Sequence, residues 1–296
     1  MLTIVNSKFA NEADLITHGG IFHADEVMAT AILLQLMPSA KLCRLNKLTD
    51  NISKNAIVYD IGGGKFDHHQ KGGNGFRKNG VPYSSAGLIW REYSYLICGK
   101  LASEVVDKAL IQGIDATDNG VMPGCDYPVQ PMSISSVISG FNPTWDSIID
   151  SDIAFLEAVK FAEVILKNSI LSALAEEKSK SIISQAVNEA DSYLIILEKF
   201  ISWQKAIFEL GDMASDILYV AFPSKRGGYN VQAVPKFLGS FEPKKPFPKE
   251  WRGEDPNTLS LITGIDDVTF CHPNGFIAGA KTLEGIKSLA KKAFEA

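Results

Sequence analysis

In the first 60 residues, short apolar runs flank one segment whose apolar side chains recur at helical spacing. The helical segment is 25–37, and Pro38 ends it. The predicted strands are 14–18, which ends in polar residues, 41–45, and the apolar run 56–59. Because strands that alternate with helices usually pair in parallel, this pattern predicts an α/β fold with a mostly parallel sheet and helices on both faces.

Helical spacing then dominates the middle of the chain. The predicted helices are 84–98, 101–114 and most of 143–188. Short strands return afterwards, which indicates a domain boundary near residue 190. We therefore predict a larger domain, residues 1–190, and a smaller α/β domain, residues 191–296.

The smaller domain mixes strand and helix patterns. Its predicted strands are 193–197, 217–222, 229–234 and a last one at 268–271, and its predicted helices are 203–210 and 283–294. A glycine-containing turn joins the second strand to the third, which is typical of a hairpin. The Pro-rich segment 242–251 is predicted to be a long functional or partner-facing loop.

Composition excludes several classes of protein. The chain has 296 residues, of which 46% are hydrophobic and 21% are charged, and its net charge is −5. No apolar run reaches the roughly 18 residues of a membrane span, and the N-terminal residues lack the form of a secretory signal, so we expect a cytoplasmic protein. The charge argues against a globally basic nucleic-acid binder, although locally gathered cations or metal ions still allow a polyanion to bind. The four cysteines form no Cys-x-x-Cys pair, which disfavours a zinc ribbon.

A first cluster of metal-ligand residues lies at the end of the first predicted strand. His18 ends that strand, a short glycine loop follows, and His23 and Asp25 begin the helix. This spacing lets imidazole and carboxylate converge on one point, and the helix dipole favours a carboxylate there. The alternative is a helix N-cap with an incidental histidine.

A second cluster follows the third predicted strand. Asp60 closes that strand, and three glycines allow the chain to turn back so that Asp67-His68-His69 lies over the strand ends. A solvated polar loop is the alternative. The glycine-rich stretch lacks the spacing of a Walker phosphate loop.

A third acidic pair, Asp115 and Asp118, follows a predicted helix and would share one face of a last helical turn. Either is a candidate carboxylate ligand, and a simple helix stop is the alternative. Nitrogen and oxygen ligands without a thiolate suit Mn²⁺, Mg²⁺, Co²⁺ or Zn²⁺. So many ligands exceed the need of one catalytic ion. We therefore expect two ions about 3.5–4 Å apart, bridged by Asp60, that activate a water for attack on phosphorus.

These clusters and several further segments resemble one enzyme family. The segments that carry the resemblance are 17–26, 59–63, 66–70, 84–89, 114–120, 231–236, 248–253 and 272–279. Across nearly the whole chain they resemble the melanocyte-proliferating-gene (Myg) family of metal-dependent hydrolases and exonucleases, within the DHH phosphoesterase superfamily. The run Asp67-His68-His69 matches the three residues for which that superfamily is named.

The resemblance implies a two-domain enzyme in which the larger domain carries the metals and the smaller one closes over the substrate. It implies that one ion is held by His18, His23 and Asp60. It implies that a second ion is held by Asp25, Asp60, His68 and an acid at Asp118 or, less favoured, Asp115. His23 is a departure, because the superfamily usually has an aspartate there, and this residue can change the metal preference.

The resemblance also implies that His69 faces the substrate phosphate, while Asp67 orients it. In the smaller domain, the basic stretch 222–252 is either a phosphate-facing surface or a solvated loop. Its candidates for substrate binding are Lys236, Arg252 and Arg226. The resemblance favours the last of these, and it adds His272 beside a glycine-containing turn.

The leading hypothesis is a metal-dependent phosphodiesterase, a 3′–5′ exonuclease similar to a nanoRNase, that acts on short single-stranded RNA with two Mn²⁺ ions. A small-molecule phosphatase or pyrophosphatase on the same site is the first alternative. A metal- or nucleic-acid-binding regulatory protein without turnover is the second. The reaction class rests on the ligand set, whereas the RNA substrate rests on the resemblance. A homodimer is the assembly considered for this chain.

Overall fold

The computed structural model describes residues 2–121, 131–190 and 192–296. Cys125 and Asp191, the first residue of the predicted smaller domain, lie outside these ranges. Contacts divide the chain into two compact units, Met1–Leu174 and Ala175–Ala296, and the division falls inside the long helix Ser151–Asn188. The roles predicted for the two domains stay predictions.

The first unit is built on a four-stranded parallel sheet. Its strands are β1 (Thr3–Ile4), β2 (Leu15–His18), β3 (Lys41–Leu45) and β4 (Ile57–Val58), in the order β1-β3-β2-β4. All of the pairings between them are parallel, so the predicted parallel α/β fold is confirmed. Because β4 pairs directly with β2, the chain that leaves β4 passes beside the end of β2, where ligands of parallel sheets bind.

The α-helices of this unit are α1 (Ala24–Leu34), α2 (Ser85–Val106), α3 (Gln112–Asp118), α4 (Ile134–Ser139) and the first part, up to Leu174, of α5 (Ser151–Asn188). A π-helical turn, Asp107–Ile111, joins α2 to α3. The break predicted between residues 98 and 101 is a kink at Gly99, whose φ of 75° excludes regular helix.

The two faces of the parallel sheet are covered differently. Leu15 and Leu42, which pair in register, belong to a large core with α1, α2 and the first part of α5. Ile16 and Cys43 come one residue later, so they point to the opposite face. A smaller core there is covered by the 3₁₀ helix Ser7–Glu12 and neighbouring loops. Helical segments therefore lie on both faces, but only one layer is α-helical.

The second unit contains a five-stranded mixed sheet, in which only β5 and β6 pair in parallel. Its strands are β5 (Leu194–Ile196), β6 (Tyr219–Pro223), β7 (Tyr229–Ala233), β8 (Val268–Cys271) and β9 (Ile277–Ala280), in the order β5-β6-β7-β9-β8. Its α-helices are α6 (Gln204–Leu210), α7 (Pro256–Thr263) and α8 (Leu283–Glu295). The predicted hairpin of β6 and β7 is confirmed.

The prediction that 268–271 is the last strand was wrong, because β9 follows it. The sequence of β9 is Ile-Ala-Gly-Ala, and small residues of low strand propensity hide its pattern. Among the described residues, no helix combines the length and the apolar character needed to cross a bilayer. The cytoplasmic location and the homodimer stay predictions.

Candidate metal centre

The candidate centre lies at the carboxyl edge of the parallel sheet. His18 is the last residue of β2, Asp60 follows β4, and Asp25 and Glu26 lie in the first turn of α1. These three acids are buried, and one carboxylate oxygen of each lies within 4.8 Å of the others. Burying several carboxylates together is costly unless cations offset their charge.

His18 faces two of the buried acids. Its Nε2 lies 2.9 Å from Glu26 Oε1 and 3.2 Å from Asp60 Oδ2. Its Nδ1 lies 3.1 Å from the carbonyl oxygen of Gly19, an acceptor that makes Nδ1 the donor and leaves Nε2 directed at the acids. Burial by itself lowers the pKa of His18, but the Asp60 and Glu26 carboxylates outweigh it and raise that pKa to about 10. Without a metal, the ring is therefore a cation.

Glu26 has a double role that the sequence analysis missed. The backbone N–H of His23 donates to both carboxylate oxygens of Glu26, each at 2.9 Å, which completes a capping box at the start of α1. A Glu at this position is an ordinary helix-start signal, so the sequence suggested no metal role. The complete burial of Glu26 and its contact with His18 place it in the centre.

The exposed ring of His23 lies at the rim of the same site, with its centroid 6.0 Å from that of His18. His18, His23 and Glu26 form one group of potential ligands, and His23, Asp25 and Asp118 form another. His23 is therefore within reach of both sides of the centre.

Asp60 stands between two sets of partners. Its φ of 57° is unusual for a residue with a side chain, although Asp tolerates this conformation. Oδ2 faces His18, whereas Oδ1 lies 3.4 Å from His68 Nδ1 and accepts the Ser85 hydroxyl at 2.9 Å. Burial would raise the pKa of Asp60, but the neighbouring His18 ring and the Ser85 hydroxyl lower it. The Asp60 carboxylate is therefore ionised, and its two oxygens face different histidine rings.

Asp67 holds His69 in place. The Asp67 carboxylate accepts the backbone N–H groups of Gly63 at 2.6 Å and His69 at 3.0 Å, and it accepts the His69 ring Nδ1–H at 2.8 Å. Burial would raise the pKa of Asp67, but these donors lower it. The His69 side chain is 61% exposed, so its other ring nitrogen is accessible to a ligand.

His68 connects the centre to the end of α3. Its Nε2 lies 2.8 Å from Asp118 Oδ2, and its Nδ1 lies 3.8 Å from Asp25 Oδ2. Burial lowers the pKa of His68, but the Asp118 carboxylate outweighs it and raises that pKa. Burial and the charges of Asp60 and Glu26 raise the pKa of Asp25 well above its ordinary value. The surroundings of Asp25 therefore disfavour its charged form.

Asp115 and Asp118, which the sequence left as alternatives, have different surroundings. The buried Asp115 carboxylate accepts Arg77 Nη1–H at 2.6 Å, the Ser84 hydroxyl at 2.5 Å and the Gly87 backbone N–H at 2.9 Å. A Cβ on Gly87 would lie only 1.9 Å from it. Its oxygens are thus occupied by the fold, whereas Asp118 contacts His68.

The four predicted substrate contacts lie in the second unit and differ in their partners. Lys236 pairs with Glu242. Arg252 donates from Nε and Nη2 to the Phe247 carbonyl oxygen at 2.9 and 2.7 Å, and His272 Nδ1 accepts the Asn274 backbone N–H at 3.1 Å.

Arg226 is exposed in the β6–β7 turn, and its side chain has no ion-pair partner within the described part of the chain. Lys236 and Arg252 therefore stabilise their own loops, whereas Arg226 is accessible to a ligand.

Comparison with known proteins identifies the family to which this chain belongs. The family model MYG1_exonuc, described as an uncharacterised protein family (UPF0160), matches residues 14–294. The chain belongs to the MYG1 family. The MYG1 protein of Dictyostelium discoideum is 31% identical over 95% of this chain and 96% of its own. The MYG1 protein of Saccharomyces cerevisiae is 31% identical over 97% of this chain and 96% of its own.

The MYG1 exonuclease of Homo sapiens is 25% identical over 96% of this chain and 86% of its own length. No solved structure matches the chain at a significant level. The predicted Myg membership is therefore confirmed, and the candidate centre lies wholly inside the part that matches the MYG1 family. The wider relation to the DHH superfamily stays a prediction.

Proposed function

We propose that this MYG1 protein is a metal-dependent phosphoester hydrolase with exonuclease activity. The observation that carries the proposal is the cluster of buried acids, in which Asp25 Oδ1 has no hydrogen-bond partner among the described residues. A buried carboxylate oxygen without a donor is costly, and a bound cation removes that cost. Carboxylate oxygens and imidazole nitrogens without a thiolate suit Mn²⁺, Mg²⁺, Co²⁺ or Zn²⁺. The residues present therefore fit a divalent metal.

The arrangement of side chains supports two ions. Asp60 suits a bridge, because its oxygens face different histidines. The residues proposed to hold one ion are His18, His23 and Asp60, with Glu26 beside them. The residues proposed to hold the other are Asp25, Asp60, His68 and Asp118. Asp115 receives no such role, because its oxygens already accept three hydrogen bonds. When bound, divalent ions supply Lewis acidity to phosphoryl oxygens and lower the pKa of water.

The remaining residues orient the substrate. Ionised Asp67 accepts Nδ1–H of His69 and holds that ring in one orientation. The exposed edge of the ring, with Nε2, then faces a phosphate oxygen of the substrate. The Asp67 side chain does not touch the substrate itself; it fixes the ring that does.

The finer part of the proposal is the substrate. The relatives from Homo sapiens and Bos taurus are named MYG1 exonuclease. Short single-stranded RNA, 3′–5′ polarity and Mn²⁺ rest on the family resemblance of the sequence. A nucleic acid also agrees with the exposed, unpaired guanidinium of Arg226 in the described structure.

One experiment tests the proposal. Protein stripped with a chelator is given Mn²⁺ and a 5′-labelled oligoribonucleotide, and stepwise shortening from the 3′ end is expected. Shortening should be lost in His68→Ala and retained in Asp50→Asn, a control at an exposed acid outside the centre. Release of phosphate from pyrophosphate without RNA cleavage would contradict exonuclease activity and indicate a phosphatase. Bound metal without hydrolysis of any phosphoester would contradict an enzyme altogether.

A further inference from the structure

In the second unit, helices cover only half of one face of the mixed sheet. Phe222, Asn230, Gly279 and Phe270 are paired in succession across β6, β7, β9 and β8, so they share a face of the sheet. Gln232 and Ile277 form a second pair on the same face, two residues further along. We call Asn230, Gln232, Phe270 and Ile277 the open face.

The opposite face of this sheet is fully packed. Ala221, Val231 and Ala278 point there and are completely buried in a core with Leu259 of α7 and Leu289 of α8. That face therefore has no room for a ligand, which leaves the open face as the only accessible side of β7 and β9 among the described residues.

Helix α6 covers only part of the near face. Val220 and Phe222 of β6 pack in a core with Ile207 of α6 and are buried. Beyond β6, Asn230 and Gln232 are only half-buried, and Phe270 is 37% exposed. The cover thus ends at β6, and the strands beyond it meet solvent.

A β-bulge turns an aromatic ring onto this surface. The register between β8 and β9 shifts between Val268 and Phe270. A Cβ on Gly279 would lie 2.4 Å from the Phe270 ring and 2.7 Å from Thr269 Oγ1. Both side chains therefore lie against the backbone of Gly279, and a larger residue at this position would displace the ring. An exposed aromatic ring held against a sheet is a platform for stacking.

Two neighbouring pockets lie along the open face. One, of about 640 Å³, is lined by Asn230 and Phe270 together with the exposed Lys225 and Arg226 of the β6–β7 turn. The other, of about 330 Å³, is lined by Gln232, with Phe241 and Phe276 as its aromatic residues.

Strand β7 runs from one pocket to the other, because Asn230 and Gln232 are two residues apart, about 7 Å along a strand. Neither pocket is lined by Asp or Glu, although the chain has a net charge of −5. The charge of this surface therefore complements a polyanion.

We propose that the open face binds two successive nucleotides of a single-stranded oligonucleotide. Phe270 stacks on one base and an aromatic ring of the second pocket stacks on the next, while Asn230 and Gln232 hydrogen-bond base edges. Lys225 and Arg226 bind the backbone phosphate. A duplex does not fit, because its bases are stacked on each other and offer no free face. This inference rests on the proposed function and adds a binding surface for its substrate.

The test is binding measured without hydrolysis. Fluorescence anisotropy of a labelled penta-adenylate RNA is followed in EDTA. Phe270→Ala should weaken binding by roughly 5- to 150-fold, the effect of losing one base stack. Phe270→Leu, which keeps apolar volume but removes the aromatic face, should weaken it as well. Arg226→Gln should weaken binding and reduce its salt dependence.

Two substitutions on the opposite side of the second unit serve as matched controls. Leu261→Ala on α7, where Leu261 is 87% exposed, removes an exposed apolar side chain, and Lys292→Gln on α8 removes an exposed charge. Both should bind RNA as the unmodified protein does. In Mn²⁺, Phe270→Ala should raise the KM for RNA far more than it lowers kcat.

Unchanged affinity of Phe270→Ala would overturn the proposal, as would equal binding of an abasic ribose-phosphate oligomer or of a duplex. Failure of the proposed function looks different. In that case the unmodified protein would bind RNA in EDTA with the stated dependence on Phe270, yet with Mn²⁺ it would hydrolyse neither RNA nor bis(p-nitrophenyl) phosphate.

Discussion

The acidic centre of the first unit and the open face of the second use polar residues in opposite ways. In the centre, Asp25, Glu26 and Asp60 are buried and crowded, and the His18 ring offsets the charge of Glu26 and Asp60. On the open face, neutral amides and an aromatic ring meet solvent, and the nearby charges are positive. Charge that is removed from water acts strongly on a reacting group, whereas recognition requires accessible surfaces.

The contrast predicts that the centre is the more sensitive region. Asp60→Asn keeps the shape of the side chain but removes the charge between His18 and His68. We expect hydrolysis to fall by roughly 10³-fold or more, with loss of bound metal. Rates and metal content by mass spectrometry check this, with Asp50→Asn as the control. Full activity of Asp60→Asn would mean that the buried cluster is not the catalytic centre.

Asp115 and Asp118 form a matched pair for separating structure from metal binding. Asp115→Asn breaks the buried ion pair with Arg77, so we expect the free energy of unfolding to fall by about 3–5 kcal/mol. Asp118→Asn should leave stability nearly unchanged and weaken metal affinity by at least the roughly 10- to 100-fold that follows loss of a hydrogen-bond partner of a ligand. Denaturant unfolding and metal titration measure the two effects. An exchange of these outcomes would move the ligand role to Asp115.

The pH dependence of metal binding follows from His18. Its pKa of about 10 means that the ring is protonated in the metal-free protein at neutral pH, and a metal that binds Nε2 must displace that proton. Metal affinity should therefore rise with pH, by about tenfold per unit for one displaced proton. Calorimetry in buffers of different ionisation enthalpy detects the released proton. Affinity that is flat between about pH 6 and 9 would exclude His18 as a ligand.

The smallest expected effect is that of substituting Asp25. This substitution is expected to raise the stability of the metal-free protein, whereas Asp115→Asn is expected to lower it. Burial and neighbouring charges raise the pKa of Asp25, so its ionised form destabilises the metal-free fold as pH rises through that pKa. Asp25→Asn should therefore raise the Tm of the metal-free protein at neutral pH by roughly 4 °C. It should also remove most of the stabilisation that Mn²⁺ provides. A lower Tm without metal would show that the Asp25 charge is supported by the fold.

Much of the fold was predictable, because its signals are local. The apolar runs of β2, β3 and β4 and the spacing of α1 identify a parallel sheet, and a glycine-containing turn identifies the hairpin of β6 and β7. Strand β9 escaped prediction, because its small residues carry no alternation. Pairing with β7 and β8 on either side stabilises β9 as a strand, although its own sequence has low strand propensity.

The sequence by itself determined which kinds of residues meet at the strand ends, since His18 and Asp60 end or follow neighbouring strands and Asp67-His68-His69 lies a short turn away. Only the tertiary structure decided which oxygens are occupied. In the tertiary structure, Asp115 forms an ion pair with Arg77, Asp118 contacts His68, and Glu26 contacts His18. The reason is physical: residue type and spacing limit what a side chain can reach. The hydrogen bonds that it makes depend on packing between segments far apart in the chain.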